Sequence, residues 1–119
     1  MDDALNNLQV WQRSRQLAVD IYKILTSCKD RGFKDQITRA AISIPSNIAE
    51  GYERNSSKEF VKFLKIARGS CAELRTQLYI GEDIKIIDGK IARVLQQEAL
   101  EISKMLQGLI NRYKCKDKS

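Results

Sequence analysis

The sequence predicts an all-α fold, an antiparallel up-down-up-down four-helix bundle. Three observations lead there. Apolar residues make up 43% and charged residues 30% of the 119 positions, with one Pro and six Gly, a composition suited to long helices rather than to short strands and many turns. Four segments return an apolar residue every three or four positions. The connections between them are short, which makes consecutive helices antiparallel neighbours. A chain of this length suits one domain, residues 1–119, around a single core.

The first helix is expected at about 8–26, with Val10, Leu17, Ile21 and Ile24 on one stripe and Trp11, Ala18, Tyr22 and Leu25 beside it. "CKDRG" breaks that pattern, and a second helix at about 34–54 carries Ile37, Ala41, Ile44, Ile48 and Tyr52. Ser56, with Glu59 three residues on, is a capping box that opens a third helix at about 57–81. Its seam, Phe60, Leu64, Ala67, Cys71, Leu74 and Leu78, alternates steps of four and three. "IKIIDGK" is the next turn, with Asp88 as a cap. The fourth helix, about 89–114, carries Ile91, Leu95, Ala99, Ile102, Leu106, Leu109 and Tyr113.

Several chemistries are excluded by what the chain lacks. It has no histidine, hence neither the commonest general base nor the usual metal ligand, and no Glu-x-x-His pair of a di-iron bundle. No glycine-rich phosphate loop is present, so no nucleotide cradle follows from spacing. The pairs Glu50/Glu53 and Glu98/Glu101 read as ordinary solvated carboxylates. Cys28, Cys71 and Cys115 have no C-x-x-C spacing and read as reduced thiols, with Cys71 in the core. The acidic start "MDDALNN" has no apolar signal region, and no apolar run approaches the ~18 residues that cross a bilayer. These features predict a cytoplasmic, non-enzymatic protein with no cofactor, no metal and no membrane partner.

The outer faces are more informative. On a helical wheel the seam of the third helix lies opposite Lys58, Lys62 and Lys65, and that outer line continues through Gly69, Ala72 and Thr76. A mid-helix glycine costs about 1 kcal/mol relative to alanine, so Gly69 either meets a neighbouring subunit or is simply tolerated. In the second helix Arg39, Ser43, Ser46, Asn47, Glu50 and Arg54 form a polar strip. Pro45 interrupts this helix, removing one amide donor and crowding the Ala41 carbonyl, so a kink or restart is expected between Ser43 and Asn47. That kink either wraps the helix around its own core or shapes it for a subunit or ligand. The tail adds Arg112, Lys114, Lys116 and Lys118, suited both to a helix C-terminus and to phosphates. Tyr22, Tyr52, Tyr79 and Tyr113 do not interleave with the basic stripe, so base stacking finds no support.

"LQVWQRSRQLAVDIY", "RAAISIPSNIAEG" and "FLKIARGSCAELRTQL" together resemble the bacterial four-helix proteins encoded in intervening sequences of 23S ribosomal RNA genes, over about residues 8–113. That family is similar in turn to the accessory variability protein of diversity-generating retroelements, a pentameric barrel that binds nucleic acid and the element's reverse transcriptase. The resemblance implies a homopentamer, nucleic-acid binding through basic surface residues and no established catalysis. A reverse transcriptase or another protein is the further partner it implies; many members have no assigned role. Arg39, Ser43, Pro45, Asn47, Glu50 and Gly51 match its motif and are read as fold or assembly determinants. The link "TSCKDRGFKDQ" departs from the family's longer Phe-Pro-containing connection.

The net charge of +6 favours anionic partners without identifying one. The expected function is therefore a non-enzymatic, oligomeric nucleic-acid-binding protein. Lys58, Lys62, Lys65, Arg68, Arg112, Lys114 and Lys116 are its expected phosphate contacts, and Arg39, Ser43, Pro45, Asn47, Glu50, Gly51 and Gly69 its interface or fold residues. A protein-binding scaffold that uses the charge only for solubility is the competing expectation.

Overall fold

The computed structural model describes Leu5 and residues 8–117, with side chains as far as Lys114. Its helices are α1 (Gln9–Ile24), α2 (Arg31–Glu53), α3 (Ser57–Asp83) and α4 (Gly89–Asp117). Among the described residues there is no strand. Consecutive helices pack side by side and α1 closes against α4, more thinly than the other neighbours meet. The result is the antiparallel up-down-up-down bundle, about 49 Å long.

Polar caps set most boundaries. Ser56 Oγ accepts the Glu59 N–H at 3.3 Å, and Asp88 Oδ2 accepts the Lys90 N–H at 3.1 Å, so α3 and α4 begin where the sequence places them. The start of α2 is three residues earlier than expected. Asp30 Oδ1 accepts the Phe33 N–H at 3.0 Å, which caps a turn containing Gly32, the residue that looked like a breaker. Two turns use a left-handed residue, Asn55 at φ 55° and Lys85 at φ 62°.

The core follows the expected seam of α3: Phe60, Leu64, Ala67, Cys71, Leu74 and Leu78 are all buried. Two other stripes are buried as expected through their middles, Val10, Leu17 and Ile21 on α1 and Leu95, Ala99, Ile102 and Leu106 on α4, and differ toward their ends. On α1 the buried line is Val10, Ser14, Leu17, Ile21 and Leu25, leaving Ile24 and Tyr22 exposed. Ser14 can stand in the core because its hydroxyl donates to the Trp11 carbonyl at 3.1 Å, within the same helix. On α4 Ala92 and Ile110 are buried where Ile91 and Leu109 were expected, and Ile91 is exposed.

Of the expected kink or restart at Pro45 the restart does not occur, for α2 is one helix from Arg31 to Glu53. Asn47 Nδ2 donates to the Ser43 carbonyl at 2.8 Å and to Ser43 Oγ at 3.0 Å, tying together the turn around the proline. Ser43 Oγ in turn meets Ser70 Oγ at 2.8 Å. The polar residues beside Pro45 thus join α2 to α3 within one chain.

Gly51 fixes how closely those helices approach. A Cβ placed there would lie 2.6 Å from Phe63 Cβ, a contact that only a shift of the helices could relieve. Gly81 does the same at the opposite end, where its Cβ would meet Ile87 Cδ1 at 2.8 Å and Phe33 Cζ at 2.9 Å. We expect Gly51→Ala to destabilise the fold by about 1–3 kcal/mol, read as a lower thermal midpoint. An unchanged midpoint would show that α2 and α3 do not depend on this approach.

Candidate nucleic-acid interface

Burial of the α3 seam turns the opposite face of that helix outward. Lys58, Lys62 and Lys65 are all exposed, as are Gly69, Ala72 and Thr76 farther along the same line. At 1.5 Å of rise per residue the three lysines span about 10 Å of helix axis. None of them has a carboxylate within ion-pair distance among the described residues. Their charge is therefore open to an external anion.

Arg68 belongs beside this stripe but is not free: its Nη1 donates to Gln107 Oε1 of α4, leaving the guanidinium half-buried. Lys114 lies seven residues beyond Gln107, two helical turns on, so it shares the α3-facing side of α4 and extends the cationic surface. Phe60 and Tyr113 hold the two helices together at this end, their rings edge to face at 5.0 Å.

Arg112 is not brought into that group. It turns toward α1, lines a cleft with Leu8, Val10, Met105, Gly108 and Leu109, and sits over the Tyr113 ring at 5.9 Å. The expected contact Lys116 lies within α4, its side chain outside the described residues. Tyr52 and Tyr113 are partly buried, and Arg54 covers the Phe63 ring at 5.0 Å, so this end presents no open aromatic platform among the described residues.

The expected fold or interface residues divide similarly. Ser43 and Gly51 meet α3 directly and Asn47 bonds to Ser43 within α2, Pro45 is half-buried, and Arg39 and Glu50 are exposed, Glu50 pairing with Arg54 at 3.2 Å. Gly69 faces open space, with nothing within 4 Å of an added Cβ. Ile66 and Ile80 flank it on the outer side of α3, each 45% exposed.

Glu98 and Glu101, expected to be solvated bystanders, form the main polar clamp of the bundle. Arg13 of α1 donates through Nε and Nη2 to both oxygens of Glu98, at 2.9 and 2.5 Å, and through Nη2 to Glu101 at 2.9 Å. The fork geometry makes this stronger than a single exposed pair. The carboxylates hold the guanidinium's pKa well above its ordinary value, and the hydrogen bond from Arg13 holds the Glu101 carboxyl below its own. No metal-binding cluster occurs among the described residues. Burial pushes the Cys71 thiol up to about 12, leaving it protonated and unreactive at neutral pH. No helix among the described residues is long and apolar enough to cross a membrane.

The model of the 23S rRNA-intervening sequence protein family matches residues 6–108. The chain belongs to that family. Lys58, Lys62, Lys65 and Arg68 fall inside the matched span, and Arg112, Lys114 and Lys116 lie beyond it. This intervening-sequence family member is also similar to a solved structure, a protein with unknown function from the S23 ribosomal protein family of Bacteroides thetaiotaomicron VPI-5482. The two share 28% identity with a TM-score of 0.79, covering 85% of this chain and 97% of that one. None of the curated proteins matches.

The clamp carries a pH dependence. A carboxyl whose pKa is lower when folded than when unfolded adds stability that is present above its ordinary value of 4.5 and is lost as pH falls through the folded value. We expect Arg13→Gln to lower the thermal midpoint at pH 7, because it removes the donor that both carboxylates share. In thermal melts against pH, the gap between Arg13→Gln and the parent chain should close as the buffer is taken below about 4.5. A gap that stays constant to pH 3 would assign the loss to packing instead.

Proposed function

We propose that this protein is a non-enzymatic, oligomeric nucleic-acid-binding protein that contacts the phosphate backbone through the outer face of α3. The observation that carries the proposal is the exposed line of Lys58, Lys62 and Lys65, three cations with no acidic partner among the described residues. Lys114 on the neighbouring helix supports it. Arg68, held by Gln107, is a weaker contact, and Arg112 belongs to a different face. Three or four phosphate contacts give weak binding on one protomer. Repetition around an assembly multiplies it through effective concentration.

Self-association is the second part of the proposal, and the homopentamer implied by the family resemblance is the form we favour. Its support is the second half of the same outer face, where Ile66, Gly69, Thr76 and Ile80 recur at steps of three, seven and four, and all are exposed. A partner helix could lie close against Gly69. Each protomer carries +6, so such an interface must outweigh mutual repulsion, and apolar contact is the means available. The same exposed isoleucines favour the second reading, a protein-binding scaffold whose partner is another protein, such as a reverse transcriptase.

A mobility-shift series with RNA, DNA and hybrid duplexes at rising salt tests the first part. Binding should fall steeply with salt, and the triple variant Lys58/Lys62/Lys65→Glu should weaken it at least tenfold at low salt. No binding by the parent chain at low salt would leave the scaffold reading in place. For assembly, Gly69→Leu should lower the mass measured by light scattering while the helix content by circular dichroism stays unchanged. An unaltered mass would remove this face from any subunit contact.

A further inference from the structure

Two buried side-chain atoms among the described residues have no hydrogen-bond partner, Gln77 Oε1 and Arg75 Nε. They differ in consequence. Gln77 is neutral, and its amide already donates to Glu73 at 3.3 Å. Arg75 is a half-buried cation on the same helix as the lysine stripe, and it has no ion pair among the described residues. A buried charged donor without an acceptor is costly, and an anion is what relieves it.

The surroundings of Arg75 make the missing partner specific. Along the edge of α3 that faces α4, Arg68, Arg75 and Glu82 recur at steps of seven, which keeps them on one side of the helix. Arg68 Nη1 donates to Gln107 Oε1, and Glu82 accepts from Arg93 Nη1 at 3.0 Å and from Gln96 Nε2 at 3.1 Å. The rungs on either side of Arg75 are therefore completed by α4, and the middle one is not. Midway between Arg93 and Gln107 on α4 stands Leu100, whose side chain has no polar group to offer. One turn on, exposed Lys104 adds a second cation. Glu101 is within electrostatic reach of Lys104, but Arg13 of α1 already holds that carboxylate.

We infer that the groove between α3 and α4 at Arg75 is a binding site for a phosphate oxyanion, with Arg75 as its fork and Arg68 and Lys104 on its flanks. Two nitrogens on one edge of a guanidinium match two oxygens of one phosphate, which an ammonium cannot do. Because Nε is already out of water in the free protein, engaging it removes no hydration there, whereas an exposed lysine must shed part of its shell. A small rotation of the outer side chain turns that edge into the groove. On the nucleic-acid reading above, on which this use of the site rests, the ligand is a backbone phosphate. The cationic track then runs from the lysines through Arg68 into the groove, and its reach along α3 grows from about 10 Å to about 25 Å. Arg75 stands about 120° around the helix from Gly69, so the site and the proposed subunit contact do not overlap. A free polyphosphate carries the same chemistry without that reading.

The test uses the full chain and substitutions at one position. In titrations of a fluorescein-labelled RNA duplex over a salt series, Arg75→Gln should weaken binding about tenfold at low salt and flatten the slope of log affinity against log salt by about one. Arg75→Lys should restore the slope without the affinity, because the charge returns and the fork does not. Duplex binding by Arg75→Gln equal to the parent's overturns the site and leaves the lysine stripe standing; binding by Arg75→Lys as tight as the parent's overturns the fork. Should the parent chain bind no duplex, the proposed function fails by itself and pyrophosphate decides for the site. At matched ionic strength it should raise the thermal midpoint of the parent by about 3 °C and leave that of Arg75→Gln unmoved, and equal shifts in the two, or none in either, overturn the inference. Arg75→Leu separates binding from packing. Removing a donor that folding leaves unpaired should hold or raise the midpoint without ligand, and a fall would assign Arg75 to the fold instead.

Discussion

Everything in this molecule depends on the apolar seam of α3. That helix packs against α2 on one side and α4 on the other, and its six seam residues are buried along nearly its whole length. Each buried Leu or Phe contributes roughly 1.5–3 kcal/mol, so rotating the helix to expose the seam would cost an amount comparable to a small domain's whole net stability. The orientation of α3 is thus fixed by its core side. Its outward side, lysines first and small residues after, follows from the same constraint rather than from any contact of its own.

Around this axis the helices are positioned by two different devices. The α2–α3 pair is set by absence of volume: Gly51 lets Phe63 approach, and the short hydroxyls of Ser43 and Ser70 meet where longer side chains would hold the helices apart. Pro45 fits here because Asn47 and Ser43 organise the neighbouring turn with side-chain hydrogen bonds. The α1–α4 contact is thin, and Arg13 with two glutamates reinforces it. Close packing holds one side of the bundle and a forked ion pair the other.

What was legible in the sequence reflects how local each signal is. The α3 seam, the Ser56 and Asp88 caps and the exposure of Lys58, Lys62 and Lys65 are all encoded within a few turns of one helix, where periodicity and capping chemistry suffice. The Arg13 clamp joins residues 85 and 88 positions apart, and Glu98 and Glu101 look the same on a wheel whether solvated or paired. A hydroxyl such as that of Ser14 reads as a surface group until its intrahelical acceptor is known. "CKDRG" reads as a break, although Asp30, two residues before Gly32, caps a helical turn. Lys114 and Arg112 could not be told apart from the tail alone, because their facing depends on which helix stands beside α4.

The thin seating of α1 has a spectroscopic consequence. The sole tryptophan, Trp11, lies in the first turns of that helix, 5% exposed and beneath the guanidinium of Arg15 at 5.4 Å. Its emission therefore reports the arrival and departure of one rod, whereas far-ultraviolet ellipticity sums all four. Where those two signals diverge along a denaturation curve, the chain is passing through a form in which three rods remain associated after the fourth has come away.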